Sequence, residues 1–164
     1  MPRITAQAAG GLNVLAFLDM LAWSEGTSTS KYTKDDGYDV VVGGIDSPNT
    51  FNSYAAHPGV LVTVNSQGLK STAAGRYQVL KKWAIAYTDL LSLPDFGPVS
   101  QDRIAIKQIT EQRALADIQA GRFDVAIGKC SNIWASLPGN TYGQRVHPIE
   151  LLVAQCVTAG GIAS

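Results

Sequence analysis

The stretch from Leu12 to Gly26, LNVLAFLDMLAWSEG, decides how this chain is read. Val14, Leu18 and Leu21 recur at spacings of four and three, the period of a helix with one apolar face, and Gly26 can close it in the left-handed conformation. The spacing predicts an amphipathic helix over about 13–25. Glu25 continues the same stripe, which places a carboxylate on the apolar face at the helix's C-terminal end. Apolar neighbours such as Trp23 and Leu21, the partial negative charge of the helix end and an aspartate from the polar segment 35–39 would each disfavour the charged form. An acid kept protonated near neutral pH can hand a proton to a leaving oxygen. The plainer alternative is a polar residue at a frayed helix end, facing water.

Working outward, residues 1–11 are small and polar and read as a loose lead-in. After the first helix, the Lys-Asp-Asp-Gly run ending at Gly37 reads as a turn. Tyr38 to Val42 and Val60 to Val64 are β-rich, separated by the Pro/Asn/Ser segment 45–59. Together they suggest a small hairpin or meander with a long, mobile connecting loop. Helical spacing returns with Leu80, Trp83, Tyr87, Leu90 and Leu91, until Pro94. Further helices are predicted from Ser100 through Ile104, Ile109 and Ile118, over Phe123 to Trp134, and over Ile149 to Thr158. No repeat and no linker interrupts the pattern. The expected class is α+β, mainly helical with a small antiparallel sheet inserted after the first helix, in a single domain covering 1–164.

Composition limits what such a domain can do. A chain of 164 residues with 46% hydrophobic residues suits one core and is too short for a barrel enzyme or a two-domain nucleotide enzyme. Thirteen Lys+Arg balance 13 Asp+Glu, which argues against a nucleic-acid partner, since phosphate neutralisation needs a basic surface. No apolar run approaches the roughly 18 to 20 residues that span a bilayer, so membrane insertion is not expected. Cys130 and Cys156 form no disulfide framework or zinc spacing and read as small core residues. His57 and His147 lie far apart, each before a proline, and suggest loops rather than a metal site; no metal and no cofactor are expected. The start Met1-Pro2-Arg3 lacks a secretory n-region, so the chain is expected to be made in a cytoplasm without an export address. Trp23, Trp83 and Trp134 fall at helical spacing and are expected in the core.

The residues also carry a family likeness. Phe17 to Thr27 (FLDMLAWSEGT), Gly37-Tyr38-Asp39-Val40 with Val42-Gly43-Gly44, Leu69 to Thr72 with Gly75-Arg76-Tyr77-Gln78, and Cys130 to Gly139 (CSNIWASLPG) with Tyr142-Gly143-Gln144 resemble the bacteriophage lambda endolysin family. The resemblance runs from about residue 14 to 161, in the same order and at nearly the same spacing. It implies a lysozyme-like fold and cleavage of the β-1,4 bond between N-acetylmuramic acid and N-acetylglucosamine in peptidoglycan. It further implies lytic transglycosylation, leaving a 1,6-anhydromuramic end, with a single catalytic glutamate falling on Glu25. The Gly-Arg-Tyr-Gln segment falls on residues 75–78 and resembles the Gly-Leu-Met-Gln motif of the wider transglycosylase group. Tyr77 and Tyr142 are thereby expected to touch substrate; on chemical grounds, polar groups such as Gln78 and the sugar's own N-acetyl group could steady the developing positive charge.

Other positions keep two readings. Asp39 is the best candidate for a second, substrate-facing carboxylate, because lysozyme-like folds often place one in the first β-rich run; the alternative is a hydrogen-bond anchor beside a turn. Asp35 and Asp36 read as turn formers. Lys31, Lys34, Lys70, Arg76, Lys81 and Lys82 either flank the cleft as a basic patch or form solvated faces. By resemblance the segment 45–59 is the upper lip of the glycan cleft, longer here than the family pattern; Ala73-Ala74 and the stretch 145–148 also depart from it. The implied partner is the glycan strand. The protein is expected to act as a monomer, waiting in the host cytoplasm until a separate membrane pore, a holin, admits it to the wall at lysis. The competing functions are a hydrolytic muramidase on the same substrate and a non-catalytic wall-binding module.

Overall fold

The computed structural model describes residues 1–139 and 146–164. In chain order the elements are α1 (Ala6–Ala9), α2 (Leu12–Ser24), β1 (Val62–Thr63), β2 (Lys70–Ser71), α3 (Lys81–Leu91), α4 (Pro98–Glu111), α5 (Leu115–Gln119), α6 (Phe123–Cys130) and α7 (Ile149–Thr158). Among the described residues no helix is long and apolar enough to cross a membrane. The chain divides into two compact units, Met1–Glu25 with Ala105–Ser164, and Gly26–Ile104.

In the first unit, the expected loose lead-in is tied down. The Thr5 hydroxyl accepts a hydrogen bond from the Ala8 amide and caps α1, while Ile4 and Ala9 are buried. A capping hydroxyl satisfies one of the amides that a helix start leaves orphaned. α2 follows within one residue of the predicted bounds, but it is not amphipathic. Val14, Ala16, Phe17, Leu18, Met20, Leu21 and Ala22 are all buried, so the helix is enclosed on nearly every side and packs against α1, α5 and α7. A helix that is apolar all round belongs in an interior. Two of its polar residues have partners within the unit: Asn13 exchanges hydrogen bonds with the backbone of Ile162, and Asp19 pairs with the N-terminal ammonium. The helix expected to run from Ser100 to Ile118 is two helices, because Arg113 takes φ 56° between α4 and α5. Cys130 and Cys156 are free, buried thiols, as their core reading requires.

In the second unit, the sheet pairs differently from the sequence expectation. β1 and β2 are antiparallel, with Val62 opposite Ser71 and Thr63 opposite Lys70. The run Tyr38 to Val42 does not join them; it makes isolated bridges instead, Val40 with Thr50 and Val41 with Ala74. The segment 45–59 is pinned along its length. Val41 N–H donates to Asn49 O, Phe51 N–H to Asp39 O and Phe96 N–H to Tyr54 O, while the carboxylate of Asp46 accepts from Thr63 N–H and Oγ1. These bonds replace the long free connection that its polar composition suggested. α3 also departs from expectation: Ala84 is its buried residue, and Trp83 is 49% exposed beside exposed Ile85 and Leu90. Helical spacing shows that apolar residues share a face and says nothing of what covers it. Trp134 is buried as expected, and Trp23 is half-buried.

Candidate active site

Glu25 is the residue on which α2 ends. Its N–H donates to Leu21 O at 2.9 Å with φ −74° and ψ −6°, so its backbone continues the helix and its side chain leaves from a rigid platform. Gly26 then takes φ 71°, a conformation open to glycine at little steric cost, and turns the chain away. The carboxyl is met by a serine from the returning half of the same unit. Ser136 Oγ donates to Glu25 Oε1 at 2.6 Å, and Ser24 Oγ donates to Ser136 Oγ at 2.8 Å. Burial raises the pKa of Glu25 above the ordinary glutamate range, while hydrogen bonds from the Ser136 side chain and backbone pull it partly back. A carboxyl that is partly desolvated yet hydrogen-bonded can both hold a proton and survive as an anion after releasing it. That is the requirement for one group to serve as acid and then base.

The segment around Ser136 is itself fixed by packing. Trp134 and Leu137 on either side are buried, Leu137 N–H donates to Trp134 O, and His147 N–H reaches Ser136 O. The His147 ring lies against Trp23, with centroids 4.7 Å apart and planes tilted by 45°. Residues next to the acid on α2 are thus braced by the same returning segment that supplies Ser136.

The Gly-Arg-Tyr-Gln segment belongs to the second unit and forms a tight loop. Ala74 and Val79 exchange backbone hydrogen bonds across its neck, and Gln78 N–H donates to Gly75 O. Gly75 has φ 80°, and a Cβ there would sit 2.3 Å from Gln101 Oε1, so this position excludes any side chain. Gln101 uses its whole carboxamide on the loop and its surroundings, accepting from Arg76 N–H and donating to Tyr38 O and Phe96 O. Gln78 takes φ 50°, unusual for a residue with a side chain, and its Nε2 donates to Gly75 O at 3.0 Å. Sparsely populated backbone conformations of this kind concentrate at functional sites.

Two of the expected substrate contacts have interior roles instead. Tyr77 is 1% exposed and donates its phenolic proton to Asp102, which leaves no ring face for a sugar. Asp39 is buried, and its carboxylate oxygens accept from Thr33 Oγ1 and Lys34 N–H. It anchors the turn, the second of the two readings its sequence position allowed. Asp35 accepts from the Tyr54 hydroxyl, and Asp36 takes φ 54° in the turn and pairs with Arg76. Arg76 is therefore not part of a surface basic patch: it is 1% exposed, ion-paired to Asp36 and set over the Tyr38 ring. Tyr142 lies outside the described residues. Among the described residues no group of three or more His, Cys, Asp or Glu side chains is placed to hold a metal ion.

Ser136, Gln101 and Asp102 take part in these arrangements without having stood out in the sequence. Ser136 lies 111 residues from Glu25, in an otherwise ordinary Ala-Ser-Leu-Pro context, and only the family-like run containing it drew attention to that region.

Comparison with known proteins agrees with this architecture. A family model described as Endolysin matches residues 15–163. The endolysin of Escherichia phage P2 is 53% identical over 155 residues, covering 92% of this chain and 94% of that protein. The endolysin of Escherichia phage lambda is 53% identical over 147 residues, covering 89% and 90%. Among solved structures, a bacteriophage lambda lysozyme complexed with a chitohexasaccharide is similar with TM-score 0.87 and 49% identity, and another structure of lysozyme from bacteriophage lambda with TM-score 0.84 and 47% identity; all four coverages are 100%. An α+β chain of this lysozyme fold, with a half-buried acid closing α2 and a family match over nearly its whole length, belongs to the endolysin family.

Proposed function

We propose that this endolysin cleaves the β-1,4 bond between N-acetylmuramic acid and N-acetylglucosamine of peptidoglycan by lytic transglycosylation, with Glu25 as the single acid and base. The observation that carries the reading is the half-buried Glu25 carboxyl at the rigid end of α2, its pKa raised by desolvation while Ser136 donates to it. Protonated Glu25 gives its proton to the glycosidic oxygen as the bond to the anomeric carbon breaks. The resulting carboxylate then takes the proton of the muramic 6-hydroxyl, whose oxygen closes on that carbon. Because the nucleophile belongs to the substrate, its effective concentration is high and no water is consumed.

A hydrolase of the common two-carboxylate kind needs a second group free to attack or to activate water. Asp39 does not favour that scheme, because its carboxylate is engaged by Thr33 and Lys34 within its own turn. Gln78, held in a strained backbone conformation, is the side chain we assign to steadying the developing positive charge, with Tyr142 as a sugar contact by family resemblance. The chitohexasaccharide complex of the lambda lysozyme supports an amino-sugar strand as the ligand class. In the infected cell the enzyme acts as a monomer that waits in the cytoplasm until a separate membrane pore opens. Weighing the fragments from a digest of purified sacculi tests the reaction type. Anhydromuramic ends, one water lighter than reducing ends, support it, and reducing ends alone identify a hydrolytic muramidase.

A further inference from the structure

We propose that Ser136 is a positioning residue for the acid: its hydroxyl, itself held by Ser24, fixes Glu25 Oε1 as the accepting oxygen and so leaves the transferable proton on Oε2. This rests on the reading of Glu25 as the acid. A serine hydroxyl has one proton to give. Ser136 gives it to Glu25 Oε1 at 2.6 Å and accepts the proton of Ser24 at 2.8 Å, so the chain Ser24 to Ser136 to Glu25 runs in one direction. An oxygen that accepts such a bond takes the carbonyl role in the neutral carboxyl, and the acid proton resides on its partner oxygen.

The site makes this arrangement hard to replace with water. Ser136 is 9% exposed and Ser24 is buried, and the two lie 112 residues apart on segments packed in one unit. Among the described residues, the groups acting on the carboxyl are the hydroxyl and the amide of Ser136, and the titratable side chain of the returning segment is His147, which lies against Trp23. Oriented donors of this kind decide how well a general acid is aimed.

The same hydroxyl serves each half of the cycle. In the first, the Oε2 proton moves to the glycosidic oxygen, the bond from that oxygen to the anomeric carbon breaks, and the departing sugar keeps the proton as its hydroxyl. In the second, the 6-hydroxyl oxygen bonds to the anomeric carbon and its proton returns to Oε2. Between the halves, Ser136 holds the anion through its O–H and N–H donors.

The test compares Ser136→Ala, Ser136→Thr and Ser24→Ala with the parent on soluble peptidoglycan oligosaccharide chains, recording kcat, KM and the kcat profile against pH. Ser136→Ala is expected to lower kcat roughly tenfold with KM within about twofold. Its alkaline limb should move to higher pH, because a donor that favours the anion has been removed. Ser136→Thr, which keeps the hydroxyl, should return the limb towards the parent position, and Ser24→Ala should displace it in the same direction by less. A Ser136→Ala profile that superimposes on the parent, or a lower kcat with an unmoved limb, overturns the proposal. Should Ser136→Ala not fold, Ser24→Ala decides by the same criterion: a displaced limb supports the relay and an unmoved one rejects it. Glu25→Gln, assayed in parallel, separates the two claims. Full activity in that variant removes the reading of Glu25 as the acid, whereas its loss beside an unaffected Ser136→Ala removes only the role of Ser136.

Discussion

Tyr77 donates its phenolic hydrogen bond to Asp102 at 2.6 Å, and the same carboxylate oxygen accepts from Tyr38 at 2.7 Å. Burial, followed by the charge of Asp102, raises the phenol of Tyr77 well above its ordinary range, so it stays a donor at any working pH. The carboxylate that receives these bonds is fully enclosed. Replacing Tyr77 by Phe therefore leaves a buried acceptor short of a donor and should cost about 1–3 kcal/mol of stability. Chemical denaturation of Tyr77→Phe checks this. A stabilising role predicts a lower midpoint with KM unchanged; an unchanged midpoint with a raised KM would restore the role of sugar contact.

Glu25→Gln should lower the rate by on the order of a hundredfold or more, as expected when a general acid is removed. With Glu25 as the proposed acid, the parent should lose activity as pH rises through that group's raised pKa, because the proposed first step needs the protonated form. Stability follows with a definite sign. The folded state binds this proton more tightly than the unfolded chain does. The resulting contribution is complete below the ordinary glutamate range and is lost as pH rises through the folded value. Melting curves across pH should show Glu25→Gln matching the parent in acid and exceeding it at neutral and alkaline pH.

Trp83 and Trp134 should respond oppositely to truncation. Trp83 stands on the open face of α3, and replacing it with Ser should change stability by about 0.5 kcal/mol or less. Trp134 is buried beside Ser136, and its replacement by Ala should cost about 3–5 kcal/mol. Urea unfolding of the two variants gives both numbers; similar losses would contradict the packing described.

The thiols of Cys130 and Cys156 are each pushed up to about 12 by burial. Thiolate is the reactive form, so native protein should resist a thiol reagent at pH 8 and both cysteines should react once denaturant is added. Rapid reaction of either thiol in the native state contradicts their placement.

How far the sequence could be read depended on the range of the forces involved. The periodicity of Val14, Leu18, Leu21 and Glu25 is a local property, and it located α2 and its terminal acid within a residue. Whether α2 would be half or wholly enclosed depended on α1, α5 and α7, which the periodicity of α2 does not contain. Tyr38 to Val42 has strand-like composition, yet its partners are Thr50 and Ala74, since backbone pairing is chosen by tertiary packing as much as by propensity. Tyr77 looked like a sugar contact because it sits in a family-like loop; it is buried, and its hydroxyl is taken by Asp102, a residue 25 positions away that nothing local marked. Ser136 illustrates the same limit, its hydrogen bond to Glu25 joining two segments with no shared sequence pattern.

The most direct measurement is a digest of purified sacculi in water enriched in oxygen-18, with the muramic ends of the released fragments examined by mass spectrometry. A Glu25-driven attack by the sugar's own 6-hydroxyl predicts anhydro ends carrying no label. Labelled reducing ends as the main product would show that solvent is the nucleophile and would contradict the account.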